Sequence, residues 1–208
     1  QRQMCIRDRE KHMKRRVVVT GIGALTPIGN NVNDTWKGIL NHQCGIDLIQ
    51  SFDTSNMKVK VAGELKDFEA TEYLDKKDVR KMDKFIQYGL IAAKEAIKDS
   101  KLEIDSINHD RFGVVVSSGI GGLGSIEENH QRGLKKGFDR VSPYFIPMTI
   151  VNLAAGQIAI AFKAQGLATC PVTACAGGTN AIGDAFRNIR DGYLDVTIAG
   201  GCEASITP

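Results

Sequence analysis

The sequence predicts an α/β protein built around a mainly parallel sheet, and three observations carry that reading. Short β-branched runs ending in glycine or serine, "RVVVTGIG" at 16–23 and "FGVVVSS" at 112–118, read as buried strands. Segments of helical periodicity separate such runs, and strands that alternate with helices imply β-α-β crossovers. The chain also holds 22 glycines, above the usual share of about 7%, which suits tight strand-to-helix turns and close backbone packing. Its 208 residues can bury a substantial core, as one large domain or as half of a duplicated body.

The elements follow in order. After the strand at 16–23, Asn33 or Asp34 can cap a short helix carrying Trp36, Ile39 and Leu40. "MKVKVAGEL" at 57–65 alternates apolar and charged residues, the pattern of a half-exposed strand. The clearest helix is Lys84–Ser100, because Ile86, Leu90, Ala93 and Ile97 recur at spacings of four, three and four on one face. The strand at 112–118 leads through the glycine loop "GIGGLG" into a helix from Ser125. "VSPYFIPM" holds two prolines and reads as an ordered connection, neither strand nor helix. An alanine-rich helix at 152–162, a strand "ATCPVTA", a helix "GGTNAIGDAFRNIRDG" and a strand "DVTIAGG" complete the chain.

A net charge of +3 argues for neither nucleic acid nor a membrane surface as partner. Residues 1–12 supply a surplus of two positive charges, show no apolar periodicity and precede "MKRRVVVTG"; they read as an appended segment, with the fold occupying 13–208. No apolar run approaches the ~18 residues of a membrane span. The five cysteines are scattered without a C-x-x-C pair, which points to a reducing cytoplasm rather than disulfides or zinc.

Four features could carry chemistry. Cys175, in "TACAGG", lies where a strand gives way to a helix. A helix N-terminus favours a thiolate, small neighbours let an acyl group approach, and a backbone N–H there can donate to an oxyanion. A free cysteine is equally at home as core filling, and local geometry leaves both readings open. For Cys170 and Cys202, inside apolar runs, core filling is preferred. The stretch 119–124 satisfies G-x-G-x-x-G with Asp139 some 20 residues on, the outline of a dinucleotide site. Glu127 and Glu128 in the following helical turn oppose a pyrophosphate, and "VSPYFIP" stands where the next strand should be. Lys77, Arg80, Lys81 and Lys84 recur at helical spacing, as a solvated face or as a docking patch for an acidic partner. His42, His109 and His130 show no metal-ligand spacing and no tie to Cys175.

Taken together, "RRVVVTGIGALTPIGN", "RKMDKFIQYG", "SSGIGGLGSIEENH", "SPYFIPMTIVNLAAG", "TACAGGTNAIGDAF" and "AGGCEASIT" resemble the beta-ketoacyl-acyl carrier protein synthases of type II fatty acid synthesis. The resemblance implies a thiolase-like α/β fold, in which two similar halves pack as an α/β/α/β/α body and dimerise. It implies that Cys175 is the nucleophile that takes an acyl chain from acyl carrier protein before condensation with a malonyl thioester. Gly119, Ile120, Phe145 and Ile146 match positions lining the acyl pocket, with Phe145 reaching into a partner subunit. Lys77, Arg80 and Lys81 match positions facing the acidic carrier protein. No cofactor and no metal is implied.

Two departures stand out. Gly177 occupies a position where the family more often has serine or threonine, and glycine there loosens the first helical turn by about 1 kcal/mol relative to alanine. Such synthases are also about twice as long, so the chain reads as an N-terminal half, without the two histidines, the lysine and the second oxyanion donor of the other half. On that reading the chain alone is catalytically incomplete. Ala181, Ile182, Ala185, Phe186 and Ile189 would then form a helix face that the other half covers. A non-catalytic piece that at most binds carrier protein and a polyketide-type ketosynthase are the alternatives.

Overall fold

A computed structural model describes residues 15–208. The reading of residues 1–12 as an appended segment falls outside them. In chain order the elements are α1 (Val32–Leu40), β1 (Asp47–Leu48), β2 (Val61–Ala62), α2 (Lys76–Val79), α3 (Lys84–Ser100), β3 (Phe112–Ser117), α4 (Leu123–Lys136), α5 (Phe145–Thr149), α6 (Leu153–Ala161), β4 (Ala168–Thr169), α7 (Gly177–Arg190) and β5 (Val196–Gly201).

The predicted parallel sheet is present, with strand order β4-β3-β5. β3 pairs with β5 along its whole length, from Phe112 opposite Val196 to Ser117 opposite Gly201, and with β4 at Val114 and Val115. Every residue of β3 is buried, as expected of a central parallel strand covered on both faces. Alternation divides its side chains. Val114 and Val116 pack with Phe85, Ile86 and Leu90 of α3 and Ala154, Ala155 and Ile158 of α6. Val115 points the other way, onto Ala181 and Ala185 of α7. The result is an α/β/α sandwich, and each fully buried Val or Ile contributes about 1.5–3 kcal/mol.

α3 has the predicted bounds and buries the predicted Ile86, Leu90 and Ala93. Asp83 starts it by accepting from Phe85 N at 3.1 Å, and Lys101 ends it with φ 56°. α4 and α7 also form where expected, and α1 is capped by Asn31, which accepts from Asp34 N, rather than by Asn33 or Asp34.

Other expectations change. The run 16–23 is extended but joins no ladder, and Val18 and Val19 are largely exposed. Its neighbour is α3 instead. Ile22 N donates to Asp99 and Ala24 N to Glu95, and a β-carbon on Gly21 would lie 2.6 Å from Ser100 N. β-branching made this run look like a strand, but a strand needs a partner edge and the described residues pair none with it. The alternating run 57–65 yields only two paired residues, which join β1 antiparallel. "ATCPVTA" pairs only at Ala168 and Thr169, since Pro171 has no N–H to give a ladder. "VSPYFIPM" does contain a helical turn, α5, despite Pro147. Pro147 falls among the first helical positions, whose N–H groups have no intrahelical acceptor in any case. Trp36, Ile39 and Leu40 of α1 are exposed rather than forming a buried face.

Candidate active site

Cys175 sits in a single 3₁₀ turn, Ala174–Ala176, leading directly into α7, and its thiol is exposed. No side chain caps α7, and the amide of its first residue, Gly177, donates to Ala174 O across the turn that carries Cys175. Ala174 holds φ 48°, a left-handed conformation that costs a non-glycine residue about 1 kcal/mol or more. That kink lets the chain turn from the end of β4 into the helix while presenting Cys175 outward.

Gly177 explains itself here. Its backbone is ordinary helix, with φ −55° and ψ −48°. A β-carbon would nonetheless overlap Ser117 Oγ and stand 2.9 Å from Ser117 Cβ. Ser117 is buried at the end of β3 and donates to Pro171 O at 2.6 Å. Close packing under the turn that carries Cys175, rather than a loosened helix, accounts for glycine at this position.

The other two strand-associated cysteines are thiols. Burial, reinforced by Glu203, pushes Cys202 up to about 12. Burial also raises Cys170, against a backbone hydrogen bond from Ser118 that lowers it. Cys202 packs against Gly89 in the α3 core, as core filling requires.

The glycine loop lies between Cys175 and α5. A β-carbon on Gly119 would be 4.0 Å from Ala174 Cα, and Gly122 N donates to Thr149 O at 3.1 Å. Gly121 has φ 77°, and a β-carbon there would meet Thr149 O at 2.6 Å. Thus Gly119 borders the turn that carries Cys175, while the far side of the loop rests on α5, which carries Phe145 and Ile146. Ile120 and Ile146 are more than half exposed. Neither of two clefts among the described residues, one beside β1 and β2 and one of about 400 Å³ between Arg80, Ser125 and Ile206, includes Cys175, Ile120 or Phe145. Of the expected pocket residues, Gly119 stands beside the Cys175 turn, while Phe145 and Ile146 lie on α5, whose Met148–Thr149 end meets the loop.

Sequence reasoning passed over Glu203. Its Oε2 accepts from Gly119 N at 2.7 Å and Ile120 N at 3.1 Å, and its Oε1 from Ser205 at 2.9 Å. These are the loop amides that a phosphate would need, and a carboxylate already engages them. The available signal was an acid directly after the glycine-ended run "IAGGCE", parallel to another strand ending in a glycine loop.

Lys77, Arg80 and Lys81 are exposed, and none forms an ion pair among the described residues. They do not share one continuous helix. α2 ends at Val79, and the buried Met82 and the cap Asp83 break the run before α3. Lys81 Nζ instead lies 5.7 Å from the centre of the Tyr144 ring, next to Phe145. Of the α7 face, Ala181 and Ala185 are buried on this chain's own sheet, while Ile182 and Phe186 are exposed. His109 Nδ1 bonds Lys163 O, and His130 faces the Phe138 ring. No group of His, Cys, Asp and Glu suited to a metal occurs among the described residues, and no helix there is long and apolar enough to cross a membrane.

An α/β/α sandwich with an exposed cysteine at a helix N-terminus, beside a glycine loop, fits the resemblance read from the sequence. The family described as beta-ketoacyl synthase, N-terminal domain, matches residues 14–208, and the chain belongs to it. Among its relatives are the proteins named 3-oxoacyl-[acyl-carrier-protein] synthase 2. That of Synechocystis sp. is 49% identical over 195 residues, covering 94% of this chain and 47% of the relative. That of Staphylococcus aureus is 49% identical over 193 residues, covering 93% and 47%. The chain thus spans about half the length of these relatives. The fold is shared with the ishigamide ketosynthase/chain length factor (TM-score 0.84, 27% identity, covering 90% of this chain and 47% of that one). It is shared as well with a type II polyketide ketosynthase, bound to a hexaketide and in complex with its acyl-carrier protein (TM-score 0.79, 27% identity, covering 93% and 52%). These neighbours are ketosynthases of thiolase-like fold, which makes the α/β expectation correct.

Proposed function

We propose that residues 13–208 form the N-terminal half of a cytoplasmic, cofactor-free beta-ketoacyl-acyl carrier protein synthase, and that Cys175 is its acyl acceptor. The observation that carries the reading is the exposed Cys175 thiol at the uncapped start of α7, with only small residues around it. In the first half-reaction the sulfur attacks the thioester carbonyl of an acyl carrier protein. The carbonyl oxygen gains negative charge, which the positive end of the α7 dipole can stabilise. Collapse expels the carrier thiolate, which takes up the proton lost by Cys175, leaving an acyl-Cys175 thioester. In the second, a malonyl thioester loses carbon dioxide, its carbanion attacks the acyl carbonyl, and the Cys175 thiolate leaves. The product is two carbons longer.

One support favours a fatty-acid over a polyketide substrate series. Identity is 49% to the 3-oxoacyl-[acyl-carrier-protein] synthase 2 relatives but 27% to the polyketide ketosynthases, although the latter share the fold. The exposed cations Lys77, Arg80 and Lys81 offer an acidic carrier protein unpaired charge. Gly119, Ile120, Phe145 and Ile146 are proposed to wall the acyl chain, with a second subunit closing the pocket in a homodimer. Acyl transfer is the step assigned to this chain; by the family resemblance, the groups that activate decarboxylation come from the other half of a synthase.

The test is acyl transfer. The chain is incubated with acyl carrier protein bearing a labelled acyl group, and its intact mass is followed with that of Cys175→Ala. A stable acyl adduct mapping to Cys175 and absent from the variant is expected. Acylation that persists in Cys175→Ala refutes the assignment.

A further inference from the structure

β3 and β5 run in register to their ends, and Cys202 N extends the pairing by donating to Ser117 O at 2.9 Å. The next residue on each strand therefore leaves the sheet at the same level. On β3 that exit is the glycine loop; on β5 it is Glu203. The carboxylate meets the exit of β3 at three points, Gly119 N at 2.7 Å and Ile120 N at 3.1 Å on Oε2 and Ser118 Oγ at 3.4 Å on Oε1, and Oε1 also accepts from Ser205 Oγ of its own segment at 2.9 Å. Ser118 Oγ in turn accepts from Gly121 N at 3.1 Å. Consecutive amides converging on one anion form a nest, and charge-assisted bonds of this type are roughly twice as strong as neutral ones.

Gly119 is shaped to this contact, since a β-carbon there would lie 2.9 Å from Glu203 Oε2. The same residue faces Ala174, beside Cys175. We infer that Glu203 is a positioning residue, whose carboxylate fixes the Gly119–Ile120 wall against the nucleophile turn and so sets how long an acyl chain Cys175 accepts. The loop needs such a fastener. Gly121 and Gly122 are tied to Ser118 Oγ and Thr149 O, and Leu123 and Gly124 belong to α4, which leaves the amides of Gly119 and Ile120 to Glu203. The inference rests on the acyl-acceptor reading of Cys175 for its effect on selectivity, but not for its effect on the loop.

The experiment compares the chain with Glu203→Ala and Glu203→Gln. Amide hydrogen exchange at Gly119 and Ile120 reads the loop directly, with Val114–Val116 as the control for global opening. Exchange at the two loop amides is expected to rise at least about tenfold in Glu203→Ala and less in Glu203→Gln, which keeps an acceptor oxygen but loses the charge. Unchanged exchange in both variants overturns the inference. If Glu203→Ala loses protection at Val114–Val116, Glu203→Gln decides alone on the same criterion.

Selectivity is read by acylating Cys175 with acetyl and palmitoyl thioesters of N-acetylcysteamine, with iodoacetamide as a size-indifferent reagent. Palmitoyl transfer is expected to fall about tenfold relative to acetyl transfer in Glu203→Ala, with partial rescue in Glu203→Gln and alkylation within about twofold of the unmodified chain. Equal slowing of both thioesters marks a merely structural role and overturns the selectivity claim. If the unmodified chain accepts neither thioester while iodoacetamide reacts, the acyl-acceptor reading and the selectivity claim built on it both fail, and amide exchange decides the positioning claim.

Discussion

Replacing Gly177 by alanine sets two effects of opposite sign against each other. Alanine is a better helix former by about 1 kcal/mol, and the backbone at Gly177 is already helical, so propensity alone predicts stabilisation. Packing predicts the reverse. The new methyl group would overlap Ser117 Oγ and approach Ser117 Cβ to 2.9 Å. Rotating the hydroxyl away relieves the first contact but breaks its 2.6 Å bond to Pro171 O, at about 1 kcal/mol. It does nothing for the second, because Ser117 Cβ is fixed to a central strand. Forcing β3 and α7 apart costs about 1–3 kcal/mol, as overpacking generally does. Packing therefore wins, and Gly177→Ala is expected to destabilise the chain by about 1–3 kcal/mol net. Urea unfolding followed by far-ultraviolet circular dichroism measures this. A double-mutant cycle with Ser117→Gly, which removes both opposing atoms, isolates the cause. In that background alanine at 177 should lose its penalty, giving a coupling of about 2 kcal/mol. A Gly177→Ala chain as stable as the parent, or a coupling below about 0.5 kcal/mol, refutes the packing account.

Three further outcomes follow from the same coordinates. Hydrogen bonds from Arg111, with Arg15 assisting, hold Asp195 down at about 2 against an ordinary 3.8. The folded carboxyl is depressed, so its stabilisation is complete above about pH 4 and is lost as pH falls through 2; Asp195→Asn should cost about 0.5–1 kcal/mol at neutral pH, discounted because the pair is solvent-screened, and only a small part of that at pH 2, where the folded carboxyl is half protonated. Urea titrations across that range check it. On α6, Ile158 is 1% exposed and Ile160 is 72% exposed, so Ile158→Ala should cost about 2–5 kcal/mol and Ile160→Ala under about 0.5, by the same measurement. Reversing Arg80 and Lys81 to glutamate should weaken acyl carrier protein binding at least about tenfold at low salt, and flatten its salt dependence in titration calorimetry.

How much was legible in the sequence varied with the range of the forces involved. α3 was readable to the residue because apolar spacing and the Asp83 cap are local and agree with each other. β3 was readable because six consecutive small or apolar residues leave few alternatives in a β-α-β pattern. The run 16–23 was misread because strand formation depends on a distant partner edge, which composition does not encode. α5 was missed because proline rules were applied without the position dependence that admits Pro147 to a first turn. The basic run 77–84 kept helical spacing in sequence, yet burying Met82 and capping at Asp83 divided it.

For the site, the sequence by itself determined that a cysteine flanked by alanines and glycines stands between a strand and a helix. Ordered motifs then pointed to Cys175 as a nucleophile. Those are statements about neighbours along the chain, where residue type and spacing suffice. Only the tertiary structure decided that Ser117 forbids a side chain at Gly177, and that Glu203 engages the glycine-loop amides from 84 residues away. The first follows from α7 packing on the end of β3, the second from β5 lying in register beside β3. That register brings the two strand ends together, and no local pattern in either strand specifies it.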